Sequence, residues 1–217
     1  MTRLGRLHVI TDETLQSRFS HGELARLAIE GGADTIQYRE KRPSSTRQLV
    51  ATATEIAEIC RVAGVACIVD DRADVAFAVG ATGVHVGRED LESHQVRRLL
   101  GGAFLIGGTA NSLAEARTVF ASPLDYIGVG PVFGTRSKAN PAPVLGVETL
   151  RAIVAESPVP VIAIGNIGPD RVAEVLEAGA HGVAVLSGVT CAADPAAAAA
   201  RYAEAIAVFL GARAGSA

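Results

Sequence analysis

A chain of 217 residues, 49% hydrophobic and only 4% aromatic, can fill one sizeable core built mainly from Ala, Val, Ile and Leu. Its formal net charge of −3 argues against binding nucleic acid through bulk positive charge, although local basic clusters can still hold a phosphorylated small molecule. No apolar run approaches the roughly 20 residues of a membrane span, so no membrane partner is expected. The cysteines Cys60, Cys67 and Cys191 form neither a CxxC pair nor a metal-ligand spacing. They read as small hydrophobes of a reducing cytoplasm, and the start of the chain enters a strand at once, which leaves no room for a signal peptide.

Short β-rich runs alternate with helical patterns along the whole length. Strands are predicted over Leu7–Thr11, Thr35–Glu40, Ala66–Asp71, Gly83–Gly87, Leu105–Ala110, Tyr126–Val132, Val159–Gly165 and Gly182–Ser187. Several are nearly continuous apolar stretches, as expected for parallel strands buried on both faces. Helices are predicted over Gly22–Ile29, Ser44–Val62, Ala73–Val79, Glu92–Leu100, Ser112–Phe120, Val147–Glu156, Pro169–Ala178 and Pro195–Leu210. In the second of these, Leu49, Ala53, Ile56, Ala57 and Cys60 recur at helical spacing.

A faint repeat supports the same division. Gly32-Ala33-Asp34, Gly80-Ala81-Thr82 and Gly179-Ala180-His181 each join a helix end to a strand start, at spacings near two and four units of roughly 25 residues. Eight such units in one chain indicate a single (β/α)8 TIM barrel with a parallel eight-stranded core near residues 7–210, and 211–217 as a frayed tail. An open doubly wound sheet is the alternative, but it usually has fewer strands at this length. In a barrel the functional residues follow the strands at the C-terminal face.

The strand ends are rich in chemistry. After the second strand, alternation points Gln37, Arg39 and Lys41 to one side and Tyr38 and Glu40 to the other. The first set suits a polyanion, and a solvated loop with an Arg–Glu pair is the plainer reading. The third strand ends in Asp70 and Asp71, the fourth in Arg88, Glu89 and Asp90. Asp71 and Asp90 can each cap a following helix; at equivalent ends of adjacent strands they can instead hold a divalent cation. Thr109 or Asn111 can hydrogen-bond a polar heterocycle, and Ser112 with Glu115 reads as a capping box. The long loop 133–146 places Thr135, Arg136, Ser137 and Lys138 as an oxyanion cradle or a plain surface loop. The turns Gly165-Asn166 and Leu186-Ser187 follow strands seven and eight, where barrels of this kind hold phosphate. His8 and His85, inside strands, read as hydrogen-bonded interior histidines.

Four stretches carry a resemblance. Gln37-Tyr38-Arg39-Glu40-Lys41, Asp70-Asp71-Arg72-Ala73-Asp74, Gly83-Val84-His85-Val86-Gly87-Arg88-Glu89-Asp90 and Asp125–Phe133 together resemble the thiamine-phosphate synthase family, over roughly Leu7–Val189. The resemblance implies a transferase that joins hydroxymethylpyrimidine diphosphate to thiazole phosphate, giving thiamine phosphate and pyrophosphate. It implies Mg²⁺ on Asp71 and Asp90, and a diphosphate substrate on Gln37, Arg39, Lys41 and Lys138, with Tyr38, Glu40 and Asp70 counted among the substrate-binding positions. Arg39, Lys41 and Lys138 would neutralise charge in catalysis, and Thr109 would meet the pyrimidine. Thr135, Arg136, Ser137, Gly165, Asn166, Leu186 and Ser187 would hold the thiazole phosphate. Three positions depart from the family pattern: Asp70 where Asn is usual, Asn166 where Gly is usual, and Arg88 where Gln is common. A thiazole tautomerase on the same barrel, which would carry His where Asn111 stands, and a non-catalytic binding protein are the competing readings.

Overall fold

A computed structural model of the chain describes residues 4–135, 137 and 142–214. Eight parallel strands close into a barrel in sequence order, β8 returning to pair with β1. The strands are β1 (Leu7–Thr11), β2 (Thr35–Tyr38), β3 (Ala66–Asp70), β4 (Gly83–Val86), β5 (Leu105–Ala110), β6 (Tyr126–Val129), β7 (Val161–Ile164) and β8 (Gly182–Val185). The helices are α1 (His21–Glu30), α2 (Thr46–Ala63), α3 (Ala73–Val79), α4 (Ser93–Leu100), α5 (Leu113–Val119), α6 (Val147–Glu156), α7 (Val172–Glu177), α8 (Ser187–Thr190) and α9 (Pro195–Ala214). The predicted barrel is the observed one, and among the described residues no helix is long and apolar enough to cross a membrane.

Alternation along each strand divides the apolar residues into two cores. Val9, Ile36, Val69, Val84, Ile106, Ile127 and Val183 point outward and pack beneath the helices. Ile10, Tyr126, Ile162 and Ala184 pack together inside the barrel. Helix α2 buries Leu49, Ala53, Ile56 and Cys60, the stripe read from the sequence. Its start is fixed by a capping box between Ser45 and Gln48, as that of α1 is by Ser20 and Glu23.

The structure departs from expectation chiefly where strands meet the mouth. Several end one to three residues early because the backbone turns out of the ladder there. After β6, Pro131 lacks an N–H to continue the ladder, although Val132 and Phe133 donate to Ile164 and Gly165 carbonyls at 2.9 and 3.0 Å and extend the pairing beyond it. The last predicted strand residues, Leu186 and Ser187, instead open the one-turn helix α8. Ser112 accepts the Glu115 N–H, but the Glu115 carboxylate goes to the Asn111 N–H and to Arg88, so the capping box expected there is only half formed. Helix α9 continues through Ala214, into the stretch read as a tail.

At the opposite face, carboxylates tie strand starts together. Asp34 accepts the Arg6 and Leu7 N–H groups, both at 2.8 Å, and a Cβ on Gly5 would sit 2.1 Å from Asp34 Oδ1. Asp125 does the same for the Ile106 N–H at 2.7 Å and also accepts from Arg97. Asp34→Ala leaves two N–H groups at the entry to β1 without their acceptor and is expected to cost about 2 kcal/mol. A urea midpoint equal to the parent's would show that Asp34 does not anchor β1.

Candidate active site

A cavity of about 420 Å³ opens at the C-terminal face, lined by residues from the ends of all eight strands. Gln37, Arg39 and Lys41 reach into it, as alternation predicts. Tyr38 and Glu40 do not. Tyr38 is buried against His21, ring centroids 4.8 Å apart and edge to face, and Glu40 accepts from Arg42 and lies 3.3 Å from His21 Nε2.

The cations of β2 are held between carboxylates. Arg39 donates to Asp12, a residue wholly buried after β1 that also accepts the Thr14 and Leu15 N–H groups at 2.6 and 3.2 Å. Arg39 Nε is 3.9 Å from Asp70 Oδ2, and Lys41 Nζ is 3.2 Å from the same oxygen while also donating to Asp71. Gln37 Nε2 donates to Asp70 Oδ1 at 2.7 Å. Burial and the neighbouring Asp71 push the Asp70 carboxyl up to about 6, against the opposing pull of Lys41 and Arg39. Asp70, unexplained from sequence, is thus the acceptor that binds Gln37 and Lys41 in place.

Neither Asp71 nor Asp90 caps a helix. The residue before α3 is Arg72 and that before α4 is Glu92. Asp71 lies in the left-handed region, φ 61°, with its N–H donated to the His85 carbonyl at 2.8 Å. Its carboxyl accepts from Lys41 and is near enough to Asp90 to influence it. Asp90 accepts the Gly87 N–H at 2.7 Å. Burial raises the Asp90 carboxyl, the Gly87 N–H opposes this, and Asp71 raises it further. Arg88 lines the cavity, its guanidinium paired with Glu115 at 3.0 Å and with Asn111 at 3.3 Å.

Deeper in the barrel, His85 lies between Tyr126 and Thr109. Its Nδ1 is 3.1 Å from Tyr126 Oη and its Nε2 is 2.8 Å from Thr109 Oγ1. Asn111 is engaged elsewhere, donating to the Gly130 carbonyl. The other side of the mouth carries Thr135, Ser137, Gly165, Asn166, Leu186 and Ser187. The Ser137 N–H donates to Thr135 Oγ1 at 3.2 Å. Arg136 and Lys138 lie outside the described residues. Gly165 adopts φ 111°, and a Cβ there would sit 2.5 Å from Pro131 Cα. Asn166 follows at φ 51°; asparagine accepts this left-handed geometry more readily than most residues. Asp71 and Asn166 are the two non-glycine residues of positive φ among the described residues, and both line this mouth.

Asp12 and Tyr126 are absent from the residues read out of the sequence. Asp12 stands one position beyond β1, a strand-end acid like Asp71, so its position was a usable signal. Tyr126 begins β6 and gives no such signal.

Fold and mouth together define a (β/α)8-barrel protein with a charged cavity at the face where enzymes of this architecture carry their active sites. A sequence profile described as thiamine monophosphate synthase matches residues 7–189. The thiamine-phosphate synthase of Salinibacter ruber is 50% identical over 203 residues, 94% of this chain and 89% of that protein. That of Chloroflexus aurantiacus is 46% identical, covering 89% of each chain. The solved thiamine phosphate pyrophosphorylase of Pyrococcus furiosus superposes with a TM-score of 0.86 at 37% identity, covering 95% of this chain and 97% of its own. The chain belongs to the thiamine monophosphate synthase family.

Behind the β2 cations, Arg42 bridges Glu40 and Glu13, lying 2.7 Å from Glu13 Oε2. Burial alone would raise the Glu40 carboxyl, but the hydrogen bonds and charge of Arg42, with His21 adding, hold it down at about 2. A carboxyl so depressed stabilises the fold above the unfolded value of about 4.3, and this contribution is lost as pH falls towards 2. Glu40→Gln is therefore expected to be less stable at pH 7 and to lose less on acidification. Urea midpoints at pH 7 and pH 3 check this, and equal acid losses in the two proteins would contradict it.

Proposed function

We propose that this chain, acting as a single domain in the cytoplasm, is a Mg²⁺-dependent thiamine-phosphate synthase. It would transfer the hydroxymethylpyrimidine group from its diphosphate to thiazole phosphate and release pyrophosphate. The observation that carries this reading is that Gln37, Arg39, Lys41 and Asp71 line one cavity, with Asp90 held just beside it on the Gly87 N–H. Family membership supports it.

The two acids suit a hard divalent cation. They would supply oxygen donors, and a bound cation would offset the burial and the neighbouring Asp71 charge that raise the Asp90 carboxyl. Among the described residues no cluster of three or more metal-binding side chains occurs, so water and diphosphate oxygens would complete the shell. Mg²⁺, when bound, neutralises charge on the departing pyrophosphate. Arg39 and Lys41, held beforehand by Asp12, Asp70 and Asp71, bind the same diphosphate and stabilise its developing charge without reorganising; Lys138 is assigned to this group on the resemblance alone. Thr109 meets the pyrimidine. Thr135, Ser137, the Gly165-Asn166 turn and the start of α8 orient the thiazole phosphate, with Arg136 assigned there by resemblance. The attacking thiazole nitrogen carries no proton, so no general base is needed and positioning supplies much of the remaining rate.

Purified protein with Mg²⁺ and both substrates is expected to release pyrophosphate and form thiamine phosphate. Tight ligand binding without product would instead leave a binding protein, and isomerisation of a thiazole precursor without pyrophosphate would mark a tautomerase. Asp90→Ala is expected to lose Mg²⁺-dependent turnover while keeping its fold by circular dichroism; full activity in that variant removes the metal role. Asp70→Asn keeps an oxygen acceptor for Gln37 but withdraws a charge competing with the diphosphate, so calorimetry is expected to show tighter diphosphate binding. An unchanged Kd would mean that Asp70 does not oppose the substrate.

A further inference from the structure

Inside the barrel, beneath the charged rim, a phenol, an imidazole and a hydroxyl stand in a row from β6 to β4 to β5. Tyr126 is buried, 1% exposed. Burial pushes its phenol well above the ordinary tyrosine range, so it is a neutral O–H. A buried phenol must place that hydrogen on an acceptor. Among the described residues its hydrogen-bond partner is His85 Nδ1, at 3.1 Å. His8 also touches the Tyr126 ring, but edge to face with centroids 5.7 Å apart, and its Nε2 lies 3.2 Å from the Gly5 carbonyl.

The direction of every proton in the row follows. Tyr126 donates to Nδ1, so the neutral imidazole carries its hydrogen on Nε2. Nε2 donates to Thr109 Oγ1 at 2.8 Å. Thr109 has then accepted from the protein side, and its own hydroxyl hydrogen is left for the cavity that it lines. The arrangement is built into the sheet by two glycines. A Cβ on Gly107 would sit 2.1 Å from Tyr126 Cζ, and one on Gly128 3.1 Å from His85 Cε1. Both rings occupy space that side chains on β5 and β6 would otherwise take.

We infer that His85 is a positioning residue which, oriented by Tyr126, fixes Thr109 as a hydrogen-bond donor and so selects a ligand with a bare ring nitrogen at that point. The inference rests on the synthase reading only for the identity of that ring, the aminopyrimidine of the diphosphate substrate. A threonine left to rotate would serve donors and acceptors alike.

Two measurements test it. In the ligand-free protein, long-range ¹H–¹⁵N spectra of the histidine rings are expected to show His85 neutral with its hydrogen on Nε2; the opposite tautomer overturns the proposal without any substrate. Calorimetry with hydroxymethylpyrimidine diphosphate then reads the coupling. Thr109→Val and His85→Leu are each expected to weaken binding about five- to tenfold, the worth of one hydrogen bond. Because His85 acts through Thr109, adding His85→Leu to Thr109→Val should cost little more. Fully additive losses would mean that His85 acts otherwise and would sink the proposal. His85→Gln, whose amide can accept from Tyr126 and donate to Thr109, should recover most of the affinity, and should do so where the leucine variant fails to fold; failure of a folded glutamine variant to recover it also counts against the relay. A parent protein that does not bind the pyrimidine diphosphate refutes the synthase reading, and the tautomer alone then decides the relay.

Discussion

The mouth of this barrel depends on an arc of alternating charge. Asp12, Arg39, Asp70, Lys41 and Asp71 follow one another around the rim, each cation touching a carboxylate on either side. Burying charges is costly unless each is paired and its remaining hydrogen-bonding capacity is met. Here Asp12 also takes backbone N–H groups of its own loop, and Asp70 takes Gln37. The arc therefore fixes the reach of Arg39 and Lys41 before any ligand arrives. It also means that neither cation of this arc is idle; a polyanion reaching them would exchange places with carboxylates that already hold them.

A second network stiffens the arc from behind. Glu40, between Arg39 and Lys41 in sequence, points away from the cavity into Arg42 and His21, and Glu13 joins Arg42 from the loop after β1. His21 accepts or donates at 2.8 Å to Thr11 Oγ1, the last residue of β1. The alternation of a strand thus continues into the loop, with one set of side chains facing the cavity and the other anchoring the set that does.

Much of this was legible because it is periodic. The parallel strands announce themselves as apolar runs, the helices by 3.6-residue stripes, and the acids and bases by their place at strand ends. Gln37, Arg39, Lys41 and Asp71 were found in that way. What escaped has no period. Strand ends at the mouth turn out of the ladder through individual conformations, such as the left-handed Asp71, which alternation does not encode. Asp12 was missed because a lone acid after a strand reads as solvent-facing until its arginine, 27 positions further on, is seen beside it. Arg88 was legible as a cation but not in its direction, since Glu115 and Asn111 come from another βα unit. Asp70 looked like a charge in the wrong place because charge balance belongs to the assembled rim and not to any one strand.

The two glycines beneath the rings of Tyr126 and His85 tie neighbouring strands together in a way that backbone pairing does not. Volume inside the barrel is shared, so the size of residue 107 and the size of residue 126 are one quantity divided between two positions, as are those of 128 and 85. A side chain can grow on one strand only as another shrinks on the next. Variation at these four sites should therefore appear as exchanges between strands, large for small, and single changes should be tolerated only where they leave space empty.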